Sequence, residues 1–208
     1  MPAPAAGSAR QWSDDTEKLN MPISVYIDNN VWDFLFERQL CLSQELPRDE
    51  FCLCLTREAE FEIPAIPPEK ADLKRFIGAS IESAVVRTDS FFGFYDDAHP
   101  PDEQRIDGFD VGRWATPEEI AFFKQQQTRL GNQRPTKLYK NEADISLAAR
   151  AFHSVVITLD RKKGPINDAY KQGGKVVYLT DFGNSGLTLA DYIRASCTRE
   201  GWQVAAHP

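Results

Sequence analysis

Apolar positions along this chain follow two rhythms in alternation. Near-continuous runs at Ile23–Ile27, Phe51–Leu55, Val155–Leu159 and Val176–Leu179 are short and rich in β-branched residues, as strands buried on both faces are. Between them, apolar residues recur at helical spacing. Val31, Phe34 and Leu35 follow Asn30, a suitable N-cap, and Leu73, Ile77 and Ile81 mark a helix over about 69–84. Thr56 can cap a short helix that Pro64, Pro67 and Pro68 bring to an end. Thr116-Pro117-Glu118-Glu119 reads as a helix start running to about Leu130, where Gly131-Asn132 stops it. Asn141 caps a helix with Ile145, Ala148, Ala149 and Phe152 on its apolar face; a short helix follows at 165–172, and Thr188 starts a last one. Strands alternating with helices predict an α/β fold of three layers, α/β/α, with a central parallel sheet of four or five strands and strand one in its interior.

The pattern weakens at two places. Residues 1–20 have no sustained period and read as a disordered leader before a main domain over 21–185, with 186–208 as a C-terminal helix and tail. Residues 85–135 are irregular and read as an insertion lying outside the common core. The aromatic group Phe91, Phe92, Phe94 and Tyr95 there is either the insertion's own core or a surface for stacking unpaired bases. No apolar stretch approaches the ~20 residues that span a bilayer, and the start lacks a basic segment followed by an apolar one. A cytoplasmic location is therefore expected, with Cys41, Cys52, Cys54 and Cys197 reduced. Cys52 and Cys54 share a strand face and lack the further partners a zinc site needs.

Chemistry enters at the ends of the runs. The first ends at Asp28, followed by Asn29-Asn30; the second leads into Glu58, Glu60 and Glu62; the third ends at Asp160; and Asp144 sits in the first turn of the helix feeding that third run. Parallel strands bring their carboxyl ends to one edge, where ligands bind in open α/β sheets. Two carboxylates ~5 Å apart repel by roughly 3 kcal/mol at an effective dielectric of 20. Such a cluster makes sense around a divalent cation, and an all-oxygen set selects Mg²⁺ or Mn²⁺ over zinc. Among the glutamates, Glu58 and Glu62 lie four apart on one helix face while Glu60 points elsewhere, which leaves two candidates.

Charge distribution adds a substrate class. The net charge of −7 argues against a nucleic-acid partner, yet residues 134–175 hold nine Lys/Arg against four Asp/Glu. Arg161, Lys162 and Lys163 directly follow Asp160, where they could meet phosphate oxygens of RNA beside a metal; the same run would also serve as an ordinary solvated turn. His99, His153 and His207 form no cluster, and there is neither a Gly-x-Ser-x-Gly elbow nor a phosphate loop.

Four segments together resemble a PIN domain (PilT N-terminus family), the metal-dependent nuclease fold of VapC-type toxins. Ser24-Val25-Tyr26-Ile27-Asp28-Asn29-Asn30 resembles the opening strand, and Leu55-Thr56-Arg57-Glu58-Ala59-Glu60-Phe61-Glu62-Ile63 the segment carrying the second acid, whose register selects Glu62. Asn141-Glu142-Ala143-Asp144-Ile145-Ser146-Leu147-Ala148-Ala149-Arg150-Ala151 resembles the Asp-opened helix, and Val156-Ile157-Thr158-Leu159-Asp160 the closing strand. The resemblance implies an endoribonuclease in which Asp28, Glu62, Asp144 and Asp160 hold one or two Mg²⁺ or Mn²⁺ ions, with Asn30 and Thr158 orienting carboxylates or a water. It also implies a homodimer and either an RNA-processing role or a toxin role with an antitoxin protein as partner. The long separation of Glu62 from Asp144 departs from compact toxins. Competing expectations are a non-catalytic PIN-like scaffold binding RNA or protein, and a phosphotransfer or phosphatase domain using Asp28; Asn30 stands where the latter would carry a second acid.

Overall fold

A computed structural model of the chain describes residues 22–91, 112–134 and 138–202. The leader over 1–20 and the aromatic residues Phe92, Phe94 and Tyr95 lie outside the described residues. Among the described residues six strands form one sheet: β1 (Ile23–Ile27), β2 (Phe51–Thr56), β3 (Arg87–Phe91), β4 (Gly112–Arg113), β5 (Val155–Thr158) and β6 (Val176–Tyr178). Their order is β4-β3-β2-β1-β5-β6, and every neighbouring pair is parallel. The chain steps outward from β1 to β4, then returns across β1 to place β5 on its other side. The reversal puts the crevice between the ends of β1 and β5, where sheets of this type bind ligands.

Helices cover both faces, as the alternation of side chains along each strand requires. Val25 and Ile27 of β1, Leu53 and Leu55 of β2, and Val155 and Ile157 of β5 pack in one core layer. That layer includes residues of α1 (Asn29–Glu37), α2 (Leu42–Glu45), α4 (Ala71–Ala84) and α8 (Leu189–Arg199). The intervening positions Tyr26, Cys54 and Val156 face a second layer with α5 (Pro117–Gln126), α6 (Glu142–Arg150) and α7 (Pro165–Lys171). The short α3 (Arg57–Glu62) follows β2 directly, its first turn capped by Thr56, whose hydroxyl accepts from the Ala59 amide at 3.1 Å. Among the described residues no helix is long and apolar enough to cross a membrane. All four cysteines are free thiols.

Three expectations are corrected. The sheet has six strands rather than four or five, because Arg87–Phe91 and Gly112–Arg113 join its edge. The described parts of 85–135 are thus woven into the core, with Phe91, Phe122 and Phe123 in the second layer. Their signal was hidden by polar residues: Asp89, Ser90 and Arg113 are all buried. Caps also differ at two helices. Asn30 lies inside α1, whose N-cap is Asp28, and Asn141 precedes α6 with a left-handed backbone (φ 69°) and no side-chain cap. The Asn141 amide instead donates to the Arg129 carbonyl at 2.8 Å. Glu142 satisfies the Tyr139 amide.

Candidate metal centre

The acid side chains at the sheet edge are held by amides and hydroxyls. Asp28, only 9% exposed, stands just past β1. Its Oδ2 accepts from the Thr158 hydroxyl at 2.6 Å and from the Asn30 amide at 2.6 Å. Asn30 Oδ1 in turn accepts from the Leu159 amide at 3.0 Å, so this side chain ties α1 to the end of β5. Thr158 Oγ1 also accepts from the Asp160 amide at 2.9 Å, which links the first and last acids through one hydroxyl. Asp160 is exposed, and its Oδ1 accepts from the Lys162 amide at 2.8 Å. Glu62 closes α3, where Asn29 Nδ2 donates to its Oε2 at 2.8 Å.

Burial pushes the Asp28 carboxyl above its ordinary range, against the pull of Thr158 and the Asn29 and Asn30 donors. Asp144, in the first turn of α6, is raised to about 6 by desolvation and then by the charges of Asp28, Glu62 and Asp160. Asp144 nevertheless keeps an exposed surface. Asp28, Glu62 and Asp160 act on Asp144 as charges, each pushing its carboxyl further upward. They do so at Coulomb range: among the described residues, no three His, Cys, Asp or Glu side chains stand in joint ligand geometry. A cation beside them is Arg134, whose Nη1 lies 3.8 Å from Glu62 Oε1 and whose charge opposes the rise at Asp144.

The remaining candidates fall differently. Glu58 does not join the crevice: it is buried, accepts from the Ser146 hydroxyl at 2.7 Å and has its carboxyl pushed upward, first by burial. Glu60 pairs with Arg57. Arg161, Lys162 and Lys163 are exposed beyond Asp160, and Arg161 pairs with Asp181 at 2.5 Å while stacking 4.9 Å over the Tyr178 ring. Sequence reasoning passed over Asn29 and Arg134. Asn29 directly follows Asp28, where a polar residue opening a helix beside the acid was a usable signal; Arg134 carried none.

Behind the crevice lies a second polar group, wholly buried. Arg150 donates from Nε to Asp89 Oδ1 at 3.0 Å and from Nη1 to the Ser146 hydroxyl at 2.7 Å. Arg113 donates to Asp89 Oδ2 at 3.1 Å and to Glu119 Oε2 at 2.9 Å, with the Tyr26 hydroxyl at 3.3 Å. Through Glu58 and Ser146 this network joins α3 to α6, the helices carrying Glu62 and Asp144. No family model, no curated protein and no solved structure matches the chain. The likeness to PIN domains accordingly rests on the four segments and their order.

Proposed function

We propose that this protein is a Mg²⁺- or Mn²⁺-dependent hydrolase of RNA phosphodiester bonds. What supports the reading is a set of contacts among the acids: the Thr158 hydroxyl donates to Asp28 and accepts from the Asp160 amide, Asn29 beside Asp28 holds Glu62, and the charges of Asp28, Glu62 and Asp160 add to desolvation in raising Asp144. The donor set fits a hard cation: every candidate ligand is a carboxylate. Mg²⁺ commonly takes only one or two carboxylates directly and keeps several waters, which suits acids spaced around a crevice rather than closed into a cage. Such an ion, when bound, lowers the pKa of a water and stabilises charge on the phosphate.

This chain's own residues supply orientation. Thr158 and Asn30 hold Asp28 from two sides, and Asn29 holds Glu62, so both carboxylates present fixed oxygens without rotamer search. Asn30 spends its amide on Asp28 and Leu159, leaving no second acid two residues after Asp28 for an aspartyl-phosphate mechanism. Arg161, Lys162 and Lys163 follow Asp160 as exposed residues, and their charge suits the strand's backbone, although Arg161 shares its own with Asp181.

The test is cleavage of end-labelled single-stranded RNA with Mg²⁺ or Mn²⁺, against EDTA and against Asp28→Asn. Cleavage should need the metal and fall in the variant by well over the ~10–100-fold typical of residues behind metal ligands. Cleavage that persists in EDTA, or at the wild-type rate in Asp28→Asn, overturns the reading.

A further inference from the structure

A cavity of about 480 Å³ lies against β6, the end strand of the sheet. Four aromatic residues line it: Tyr170, which is 38% exposed, and the half-buried Tyr178, Tyr192 and Trp202. Its volume falls within the ~300–1,000 Å³ range of small-molecule pockets. The cavity adjoins the acids of the neighbouring strand. Tyr178 is the register partner of Thr158, which holds Asp28, and Arg161 of the cavity wall directly follows Asp160.

The edge of β6 supplies main-chain groups to this wall. Val156 donates to the Lys175 carbonyl at 2.9 Å, which sets the phase of the ladder between β5 and β6. In that phase Val177 turns its amide and carbonyl toward β5, while Val176 and Tyr178 turn theirs outward, and all three residues line the cavity. Two of the four outward groups are taken: the Val176 amide donates to the Gly174 carbonyl at 3.0 Å, and the Tyr178 carbonyl accepts from the Tyr192 hydroxyl at 3.0 Å. The Val176 carbonyl and the Tyr178 amide, an acceptor and a donor two residues apart on one edge, are left without a protein partner among the described residues. Two cations stand in the same wall, Arg161 and Arg199, with side chains 52% and 71% exposed. Their pairs with Asp181 and Glu200 are exposed ones that contribute little, so either guanidinium is free to turn to an anion.

We propose that this cavity receives an unpaired nucleobase of the RNA strand, its edge held by the Val176 carbonyl and the Tyr178 amide and its phosphate by Arg161 or Arg199. The proposal rests on the hydrolytic reading above and places a base-binding subsite beside it. A base combines what the wall asks for: a flat body to stack on tyrosine or tryptophan, a hydrogen-bonding edge and an attached anion. Each of the four bases carries a donor next to an acceptor on one edge, as adenine does with its amino group and N1. The main-chain pair therefore accommodates a base without selecting one. A peptide added as a further strand, the other partner that a sheet edge takes, uses a row of main-chain groups, and here Gly174 and Tyr192 have already closed the row on both sides of the free pair.

The experiment follows the main-chain amide resonance of Tyr178 in the full chain labelled with ¹⁵N-tyrosine, identified by its loss in Tyr178→Phe. Ligands are hexaribonucleotides of A, C and U, a hexamer of abasic ribose phosphates, the four ribonucleoside 5′-monophosphates and a hexapeptide of alternating valine and threonine, titrated first in EDTA and then in Ca²⁺. The resonance should shift with the base-bearing hexamers, and Tyr170→Ala should weaken their binding about tenfold while Tyr170→Phe, which keeps the ring, binds as wild type. Melting curves of both variants check that the fold is kept. An amide unmoved by every ligand, or wild-type affinity in Tyr170→Ala, overturns the proposal. So does an equal response to the abasic hexamer, which leaves phosphate recognition alone, or a response to the hexapeptide in place of RNA, which assigns the edge to an added strand. Monophosphates binding as tightly as hexamers assign the cavity to a free nucleotide and overturn the strand assignment. Metal-dependent cleavage with a silent resonance sinks the base site alone; a moving resonance without cleavage in Mg²⁺ or Mn²⁺ sinks the hydrolytic reading alone.

Discussion

Glu58 and Glu62 lie one helical turn apart on α3 and belong to opposite kinds of acidic group. Glu58 joins Asp89 and Glu119 in the interior, where Arg113 and Arg150 lie against the acids as fixed counter-ions. Glu62 joins Asp28, Asp144 and Asp160 at the sheet edge, with one half-exposed arginine at 3.8 Å. Burial opposes the charge on Arg150, but Asp89 and Glu58 more than offset it and the guanidinium is held more firmly charged than usual. At the edge the sign is reversed: Asp144 is pushed toward its neutral form. The interior group is an architectural element complete in itself. The edge group is a set of charges for which the described residues supply little compensation, which is what the metal site proposed above requires.

The largest effect expected from this contrast is on the interior group. Arg150→Met leaves Asp89 and Glu58 without their common cation and should cost about 3–5 kcal/mol in urea denaturation, the range for breaking a buried ion pair on one side. A loss below ~1 kcal/mol would mean the network is not the closed unit described here. The paired comparison is Glu62→Gln against Glu58→Gln. The first should lower metal-dependent cleavage by more than ~100-fold with the fold intact. Glu58→Gln should mainly lower the melting temperature, because its partner is the Ser146 hydroxyl rather than the crevice. Equal losses of cleavage in the two would erase the distinction.

A pH series separates the groups by sign. Asp144 has a folded pKa near 6 against an ordinary value of 3.8, so the folded protein binds that proton more tightly than the unfolded chain. Its contribution to stability is full below about pH 3.8 and is lost as pH rises through 6. In EDTA, the melting temperature of wild type relative to Asp144→Asn should therefore fall between pH 4 and pH 6 and stay low above it. Mn²⁺ at pH 7 should raise wild type more than the variant. A difference independent of pH would remove the repulsion argument.

The same contrast explains what could be read from the chain. Runs such as Val155–Leu159 announced their strands because both faces meet apolar side chains, and the acid just past each run could be placed without coordinates. β3 could not: its sequence Arg-Thr-Asp-Ser-Phe has neither alternation nor an apolar run, and Asp89 is tolerated inside because Arg113 and Arg150 arrive from 24 and 61 positions away. Long-range pairing of that kind has no local pattern. The helix face shared by Glu58 and Glu62 left both as candidates, and only the register of the PIN-like segment singled out Glu62; that Glu58 is buried against Ser146 had no local signal. Asn29 was overshadowed by Asn30 because only Asn30 fell at the expected spacing, although the two divide the work, one holding Glu62 and the other Asp28.

The smallest effect expected is the sharpest check on the edge group. If Arg134 were a built-in counter-ion like Arg150, the edge cluster would be a second architectural network, and its arginine would be costly to remove. Its geometry says otherwise: the guanidinium side chain is 50% exposed and stands 3.8 Å from Glu62. Exposed pairs of this kind contribute roughly 0–1 kcal/mol, so Arg134→Gln should leave urea stability within about 0.5 kcal/mol of wild type. Removing that positive charge should also let Asp144 rise further and make the crevice more attractive to cations, since Arg134 and a bound metal compete for the same field. Calorimetric titration with Mn²⁺ should show affinity equal to or tighter than wild type. Arg134→Gln that loses several kcal/mol of stability, or binds Mn²⁺ more weakly, would place the arginine among the structural pairs and end the contrast drawn between the two groups of acids.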